Sequence, residues 1–196
     1  MSAPQFHLRP AIAADLDAIL TLERATHLAP HWPLSAYAAI LESAAPQRCL
    51  FVAETNEQIA GFAVGLLHPG APSIPRSLRN GWETVSETSG RNHIHEPTDA
   101  STHERIAELE SVVVSASYRR AGIGRALCHA VLDWCYSKGA TEVVLEVRAS
   151  SSAAVALYAG LGFTLAARRP RYYQDPADDA LLMRLPLPPN GGRIED

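Results

Sequence analysis

The sequence is short of cysteine, of net charge and of long apolar runs, and each shortage excludes a class of protein. Three cysteines, Cys49, Cys128 and Cys135, stand among 196 residues and none forms a CxxC pair. That rules out a disulfide framework or a zinc ribbon and predicts reduced thiols in an intracellular protein. Cys128 and Cys135 lie seven apart on one face of an expected helix, where thiols act as buried filler. A formal net charge of −4 leaves no broad basic field, so direct nucleic-acid binding is not expected and any phosphate must be held locally. No apolar run approaches the ~20 residues that span a bilayer, and the opening MSAPQFHLRP has no apolar signal core. These absences predict a cytoplasmic protein with no membrane association. Apolar residues at 47% are ample for a folded core.

What is present reads as alternating strands and helices. Phe6–Arg9 is a short strand closed by Pro10. Asp15–Thr26, with Leu16, Ile19 and Leu20 at helical spacing, is a helix. Pro30-His31-Trp32-Pro33 breaks it, the Trp32 ring being expected in the core, and Leu34–Ala44 is a second helix. Gln47–Ala53 and Gln58–Leu67 form a hairpin about Asn56 and Glu57, with Gly61 and Gly65 permitting a bulge or close packing. The segment 69–106 then changes in composition, with four prolines and three histidines, and is long for a connection in a compact domain. His93, His95 and His103 lack firm ligand spacing, so no metal site is expected. Trp82 is positioned to anchor this segment.

Order resumes at Glu108. A strand to Ser115 passes through Ala116-Ser117-Tyr118 into Arg119-Arg120-Ala121-Gly122-Ile123-Gly124-Arg125. A helix follows to Lys138, with Ile123, Leu127, Ala130, Val131 and Trp134 on one face and Gly139 as its stop. Thr141–Val147 is a second buried strand, parallel to the first across this helical crossover. Ser150–Ser152 caps a helix to Ala159, Gly160-Leu161-Gly162 ends it, and Phe163–Arg169 is a strand. Arg171–Asp178 reads as a turn-rich loop and Ala180–Leu185 as the last strand. The end of the chain, 186–196, reads as a flexible tail.

A strand, a glycine turn and a helix start together make an anion cradle, because unpaired N–H groups and the positive helix end converge there. The lysine of a P-loop is missing, and only Gly122-x-Gly124 of a dinucleotide fingerprint is present. Arg-x-x-Gly-x-Gly followed by Arg-Ala instead suits a pyrophosphate flanked by arginines.

YRRAGIGRAL after an apolar strand, and LEVRASSSAAVALYAGLGF after it, resemble the acetyl-CoA-binding core of the GNAT N-acetyltransferases. Within that superfamily they are most similar to the RimI-type ribosomal-protein-alanine N-acetyltransferases. The resemblance covers most of 109–185 and extends weakly to HLAPHWPLSAY. It implies a mixed, mostly antiparallel twisted α/β (α+β) sheet with a central parallel strand pair and helices on both faces. On this reading one domain spans 1–185, with an insertion at about 69–106 where close relatives have a short hairpin.

The resemblance also implies roles for individual residues. Val112, Val113 and Val114 would pair their backbone with the pantetheine arm of acetyl-CoA. Arg120, Ala121, Gly122, Ile123, Gly124 and Arg125 would hold its pyrophosphate. Ser151, where the family often has asparagine, would help hold the cosubstrate. Glu146 matches the family's proposed general base and Tyr158 the acid that protonates the departing thiolate. Tyr172 and Tyr173 resemble tyrosines that grip a substrate peptide. Each has a plainer alternative. Glu146 can pair with Arg148, Tyr158 can be a core tyrosine, and Tyr172 and Tyr173 can be an exposed hairpin pair packed on Phe163.

The chemistry fits those residue types, since an amine must lose a proton before attacking a thioester and a thiolate leaves more readily when protonated. The expected function is acetyl transfer from acetyl-CoA to a primary amine in a ternary complex. The first-choice acceptor is a protein N-terminus, with ribosomal-protein alanine as the specific case. The alternatives are a small-molecule amine acetyltransferase and a non-catalytic acyl-CoA-binding module.

Overall fold

The computed structural model describes residues 5–43, 47–56, 58–68, 83–84 and 105–188. They fall into two compact units, one of Met1–Leu67 with Ala107–Gly139 and one of His68–Ile106 with Ala140–Asp196.

In the first unit, β1 (His7–Pro10), β2 (Arg48–Thr55), β3 (Gln58–Leu67) and β5 (Ile106–Val114) pair antiparallel in that order. Side chains alternate across β3, and the alternation allots a helix layer to each face. Phe62 and Val64 join Ile19, Leu20, Tyr37 and Ile40 of α1 (Leu16–Arg24) and α2 (Leu34–Glu42) in one core. Gly61 and Gly65 face α3 (Ile123–Ser137). A Cβ on Gly65 would come within 2.5 Å of Val131 Cγ1, so the missing side chains let the helix sit close. The expected bulge is there, between Val64 and Gly65. The buried face of α3 is Ile123, Leu127, Cys128, Val131, Leu132 and Cys135. Ala130 and Trp134, expected within that stripe, are only half-buried and border a groove with Leu8 and Phe51. The Trp32 ring packs on the core as expected, its centroid 5.5 Å from that of Tyr37. Gly139 ends the helix segment at φ 78°.

In the second unit, β6 (Glu142–Arg148), β8 (Ala177–Pro186), β7 (Thr164–Gln174) and β4 (Glu83–Thr84) pair antiparallel in that spatial order. The run Val143-Val144-Leu145 is buried throughout, as a strand covered on both faces requires. Three expectations are corrected here. Arg171–Asp178 is not a loop: β7 runs on to Gln174, the turn is confined to Asp175 and Pro176, and β8 begins at Ala177. Turn-like composition is overridden by strand pairing across a β7 bulge between Arg169 and Tyr173. Ser151 sits at the N-cap of α4 (Ser152–Ala159) without a capping side-chain bond, while the Ser150 hydroxyl donates to Asp178 Oδ2 at 2.6 Å. Pro186 closes β8, and Leu187 is buried with its N–H donating to the Thr141 carbonyl at 2.8 Å, so neither belongs to a loose tail. Of the expected insertion, Glu83 and Thr84 pair with Arg168 and Ala167, and Arg105 and Ile106 lead into β5. Trp82, His93, His95 and His103 lie outside the described residues.

Candidate active site

The cradle lies in the first unit. Val112, Val113 and Val114 stand opposite Ala63, Phe62 and Gly61 of β3. Val113 is buried, and its neighbours Val112 and Val114 are half-buried. After β5 a short 3-10 turn, Ala116–Tyr118, leads to Arg120 at φ 64° and Gly122 at φ 83°, and α3 starts at the next residue. Left-handed residues in a turn are a setting in which successive backbone N–H groups can form an anion-binding concavity. The first turn of α3 adds N–H groups with no intrahelical acceptor and the positive end of its dipole. The first intrahelical bond runs from Ala126 N–H to the Gly122 carbonyl at 3.0 Å. Nothing lies within 4 Å of a Cβ built on Gly122, so its backbone dihedral and not crowding requires glycine. Arg119, Arg120 and Arg125 are exposed around this turn, and the Arg119 Nε reaches the Val114 carbonyl at 3.5 Å. Left-handed backbone, a helix start and clustered arginines are the donor set a pyrophosphate needs.

The carboxylate lies in the second unit. Glu146 is half-buried on β6, opposite Leu182 of β8. The Tyr173 hydroxyl donates to Glu146 Oε1 at 3.4 Å. Burial first, and then the nearby carboxylate, raises the pKa of this phenol, which keeps it a hydrogen-bond donor. Arg148 donates to the carbonyls of Pro176 at 2.9 Å and Asp175 at 3.2 Å, and its guanidinium lies 4.0 Å from the centroid of the Tyr173 ring. Tyr172 is 40% exposed, meets Tyr173 edge-on at 5.0 Å and carries Arg169 over its face at 4.5 Å. Phe163 meets Tyr158, at 6.0 Å between ring centroids. Tyr158 is buried near the end of α4, its carbonyl accepting from the N–H groups of Leu161 and Phe163.

The structure therefore brings Glu146, Arg148, Tyr172 and Tyr173 together on one sheet. It also adds residues that sequence reasoning missed. Asp179 accepts from the Arg171 N–H at 2.7 Å and from Arg168 Nε at 2.7 Å, pinning the β7 bulge. Those bonds hold its carboxyl below the usual aspartate range. A signal for the Arg148 contact was present in the alternation of β6, which puts residues 146 and 148 on one face.

Burial pushes the Cys49 and Cys128 thiols up to about 12 and Cys135 higher still, which fits inert filler. Among the described residues no three His, Cys, Asp or Glu side chains are grouped to hold a metal ion. No described helix is long and apolar enough to cross a membrane.

Residues 16–163 match the acetyltransferase (GNAT) family. The chain is similar to the [ribosomal protein bS18]-alanine N-acetyltransferase of Escherichia coli (strain K12), 43% identical over 83 residues, 41% of this chain and 56% of that protein. It thus spans little more than half the length of the first such relatives. It is similar over nearly its whole length to an N-alpha-acetyltransferase of Sulfurisphaera tokodaii, 28% identical over 184 residues, 93% of this chain and 94% of that protein. The crystal structure of the ribosomal-protein-S18-alanine N-acetyltransferase from Escherichia coli superposes with a TM-score of 0.66 at 25% identity, covering 97% of this chain and 100% of that one. The match bears out the expected fold class, a mixed and mostly antiparallel sheet with one parallel strand pair and helices packed on it.

Proposed function

Since the chain belongs to the acetyltransferase (GNAT) family, we propose that it transfers the acetyl group of acetyl-CoA to a primary amine by direct attack in a ternary complex. The acceptor is the N-terminal α-amine of a protein, with alanine of a ribosomal protein as the specific case. The observation that carries the donor half is the left-handed pair Arg120 and Gly122 at the start of α3. A backbone of that shape gathers N–H groups around an anion, and the arginines supply the counter-charge. The relatives named for N-terminal acetylation support the acceptor half.

Acetyl-CoA supplies an activated thioester. The backbone of Val112, Val113 and Val114 lines up its pantetheine, residues 120–125 hold its pyrophosphate, and Ser151 adds a hydroxyl. Glu146, directly or through a water, takes the proton from the ammonium form of the acceptor. The freed nitrogen attacks the thioester carbon, the carbon–sulfur bond breaks, and Tyr158 gives its phenolic proton to the departing thiolate. Tyr172 and Tyr173 grip the acceptor peptide. The stretch 1–187 acts as one catalytic domain, with the segment at about 69–106 inserted in it.

Thiol release from acetyl-CoA, followed over N-terminal peptides, lysine peptides and small amines, tests this reading. Peptides with a free N-terminal alanine should react. Reaction of small amines alone overturns the acceptor, and no thiol release with any amine overturns catalysis and leaves an acyl-CoA-binding module.

A further inference from the structure

We infer that Arg148 is a positioning residue for Glu146, acting through the ring of Tyr173. The inference rests on the reading of Glu146 as the base. Its starting point is the register of three neighbouring strands. Glu146 and Arg148 project from the same face of β6, and Arg148 stands opposite Ala180 of β8. Ala180 is fully buried and carries only a methyl group, so larger side chains from the strands on either side can close over it. Tyr173 comes from the far strand, β7, opposite Asp178. The β7 bulge, with Arg171 at φ 50° and its N–H held by Asp179, turns the chain so that the Tyr173 ring meets Arg148.

Arg148 is fixed at both its edge and its face. Its N–H groups donate to two successive carbonyls of the β7–β8 turn, at 2.9 and 3.2 Å, while its Cζ lies over the Tyr173 ring, 4.0 Å from the centroid. A planar guanidinium can do both at once. An ammonium supplies the charge but not the two divergent donors and the flat face. The Tyr173 hydroxyl then reaches Glu146 at 3.4 Å, longer than the ~2.7 Å usual between oxygens. At that length a small shift of the ring decides whether the bond exists. The phenol bond gives the carboxylate a donor that moves with the Tyr173 ring.

The test is steady-state kinetics with acetyl-CoA and an acceptor peptide on Arg148→Met, Arg148→Lys, Tyr173→Phe and the double variant Arg148→Met/Tyr173→Phe. Tyr173→Phe keeps the stacked ring and the turn bonds, so it is informative even where an Arg148 variant loosens the turn. Each single change should lower kcat roughly three- to thirty-fold, the range set by one cation–π contact and one hydrogen bond. KM for acetyl-CoA should stay the same. Arg148→Lys should not restore kcat, and the double variant should be no slower than the slower single one. In a Glu146→Gln background, Arg148→Met should cause no further loss. Multiplicative losses in the double variant, or full turnover with Arg148→Met, overturn the inference while a slow Glu146→Gln leaves the base reading standing. Full turnover of Glu146→Gln overturns both.

Discussion

A Cβ built on Gly61 would lie 2.8 Å from the carbonyl oxygen of Val113, closer than packed atoms come. The two residues sit across the β3–β5 ladder, and Val113 is the middle one of the three valines proposed to guide the pantetheine. The same Cβ would also meet Leu127 at 3.1 Å and Ile123 at 3.3 Å, in the first two turns of α3. Gly61→Ala must therefore displace β5, the start of α3, or both. The expected cost is about 1–3 kcal/mol of stability. Calorimetry should show a lower Tm, and titration with acetyl-CoA a weaker affinity. A variant with unchanged Tm would show that the two strands separate without cost.

Gly122 is constrained differently, since its surroundings are empty and only its φ of 83° requires glycine. Gly122→Val strains the left-handed turn by about 1–2 kcal/mol, and the turn relaxes by flattening the cradle. Binding of acetyl-CoA and of free coenzyme A should weaken together, roughly tenfold, the equivalent of that strain. Isothermal titration checks this, and equal affinity for the variant would remove the cradle from the binding account.

The Tyr37 hydroxyl donates to Glu23 Oε1 at 2.6 Å, and the Trp32 N–H donates to the same oxygen at 3.0 Å. Glu23 and Tyr37 are both fully buried, so the pair ties the end of α1 to α2 inside the core. Burial, together with the carboxylate, pushes the Tyr37 phenol up and keeps it a donor. Tyr37→Phe leaves a buried carboxyl short of a partner and should cost about 1–3 kcal/mol. The denaturant midpoint should fall at constant m-value, and an unchanged midpoint would mean that Glu23 finds another donor.

Asp178 and Asp179 set an acid limit to the stability of the second unit. The Ser150 hydroxyl, followed by the N–H groups of Ser150 and Asp179, holds the Asp178 carboxyl below its ordinary range. Arg171 N–H and then Arg168 do the same for Asp179. A depressed pKa stabilises the fold above the unfolded value and is lost as pH falls through the folded one. Tm should be flat from neutrality to about pH 5 and decline below about 4, where free aspartate gains its proton. Asp178→Asn/Asp179→Asn should lower Tm at neutrality and flatten that decline. A double variant as acid-sensitive as the wild type would place the titration elsewhere.

What could be read in advance divides along local and non-local lines. The cradle was legible because its parts are contiguous: an apolar strand, a left-handed glycine turn and a helix within residues 109–125. The strand Gln58–Leu67 was legible because an apolar run follows a turn residue, Asn56, that accepts φ 48°. RPRYYQDP misled because its composition is that of a turn, and only pairing with β8 and the hold of Asp179 on Arg171 make it strand. The alternation of β6 puts Glu146 and Arg148 on one face, but Tyr173 reaches both through a β6–β8–β7 register that no spacing in the chain encodes. Ser150 and Ser151 looked equivalent as caps, and only the position of Asp178 tells them apart.

The central claim is acetyl transfer to a free protein N-terminus, and one paired assay tests it most directly. Two peptides of identical sequence beginning with alanine, one with a free α-amine and one blocked, are each incubated with the protein and acetyl-CoA, and thiol release and the site of acetylation are read together. The account predicts thiol release with the free peptide alone and acetylation at its α-nitrogen. Equal release from both peptides, or acetylation confined to lysine side chains, would contradict it.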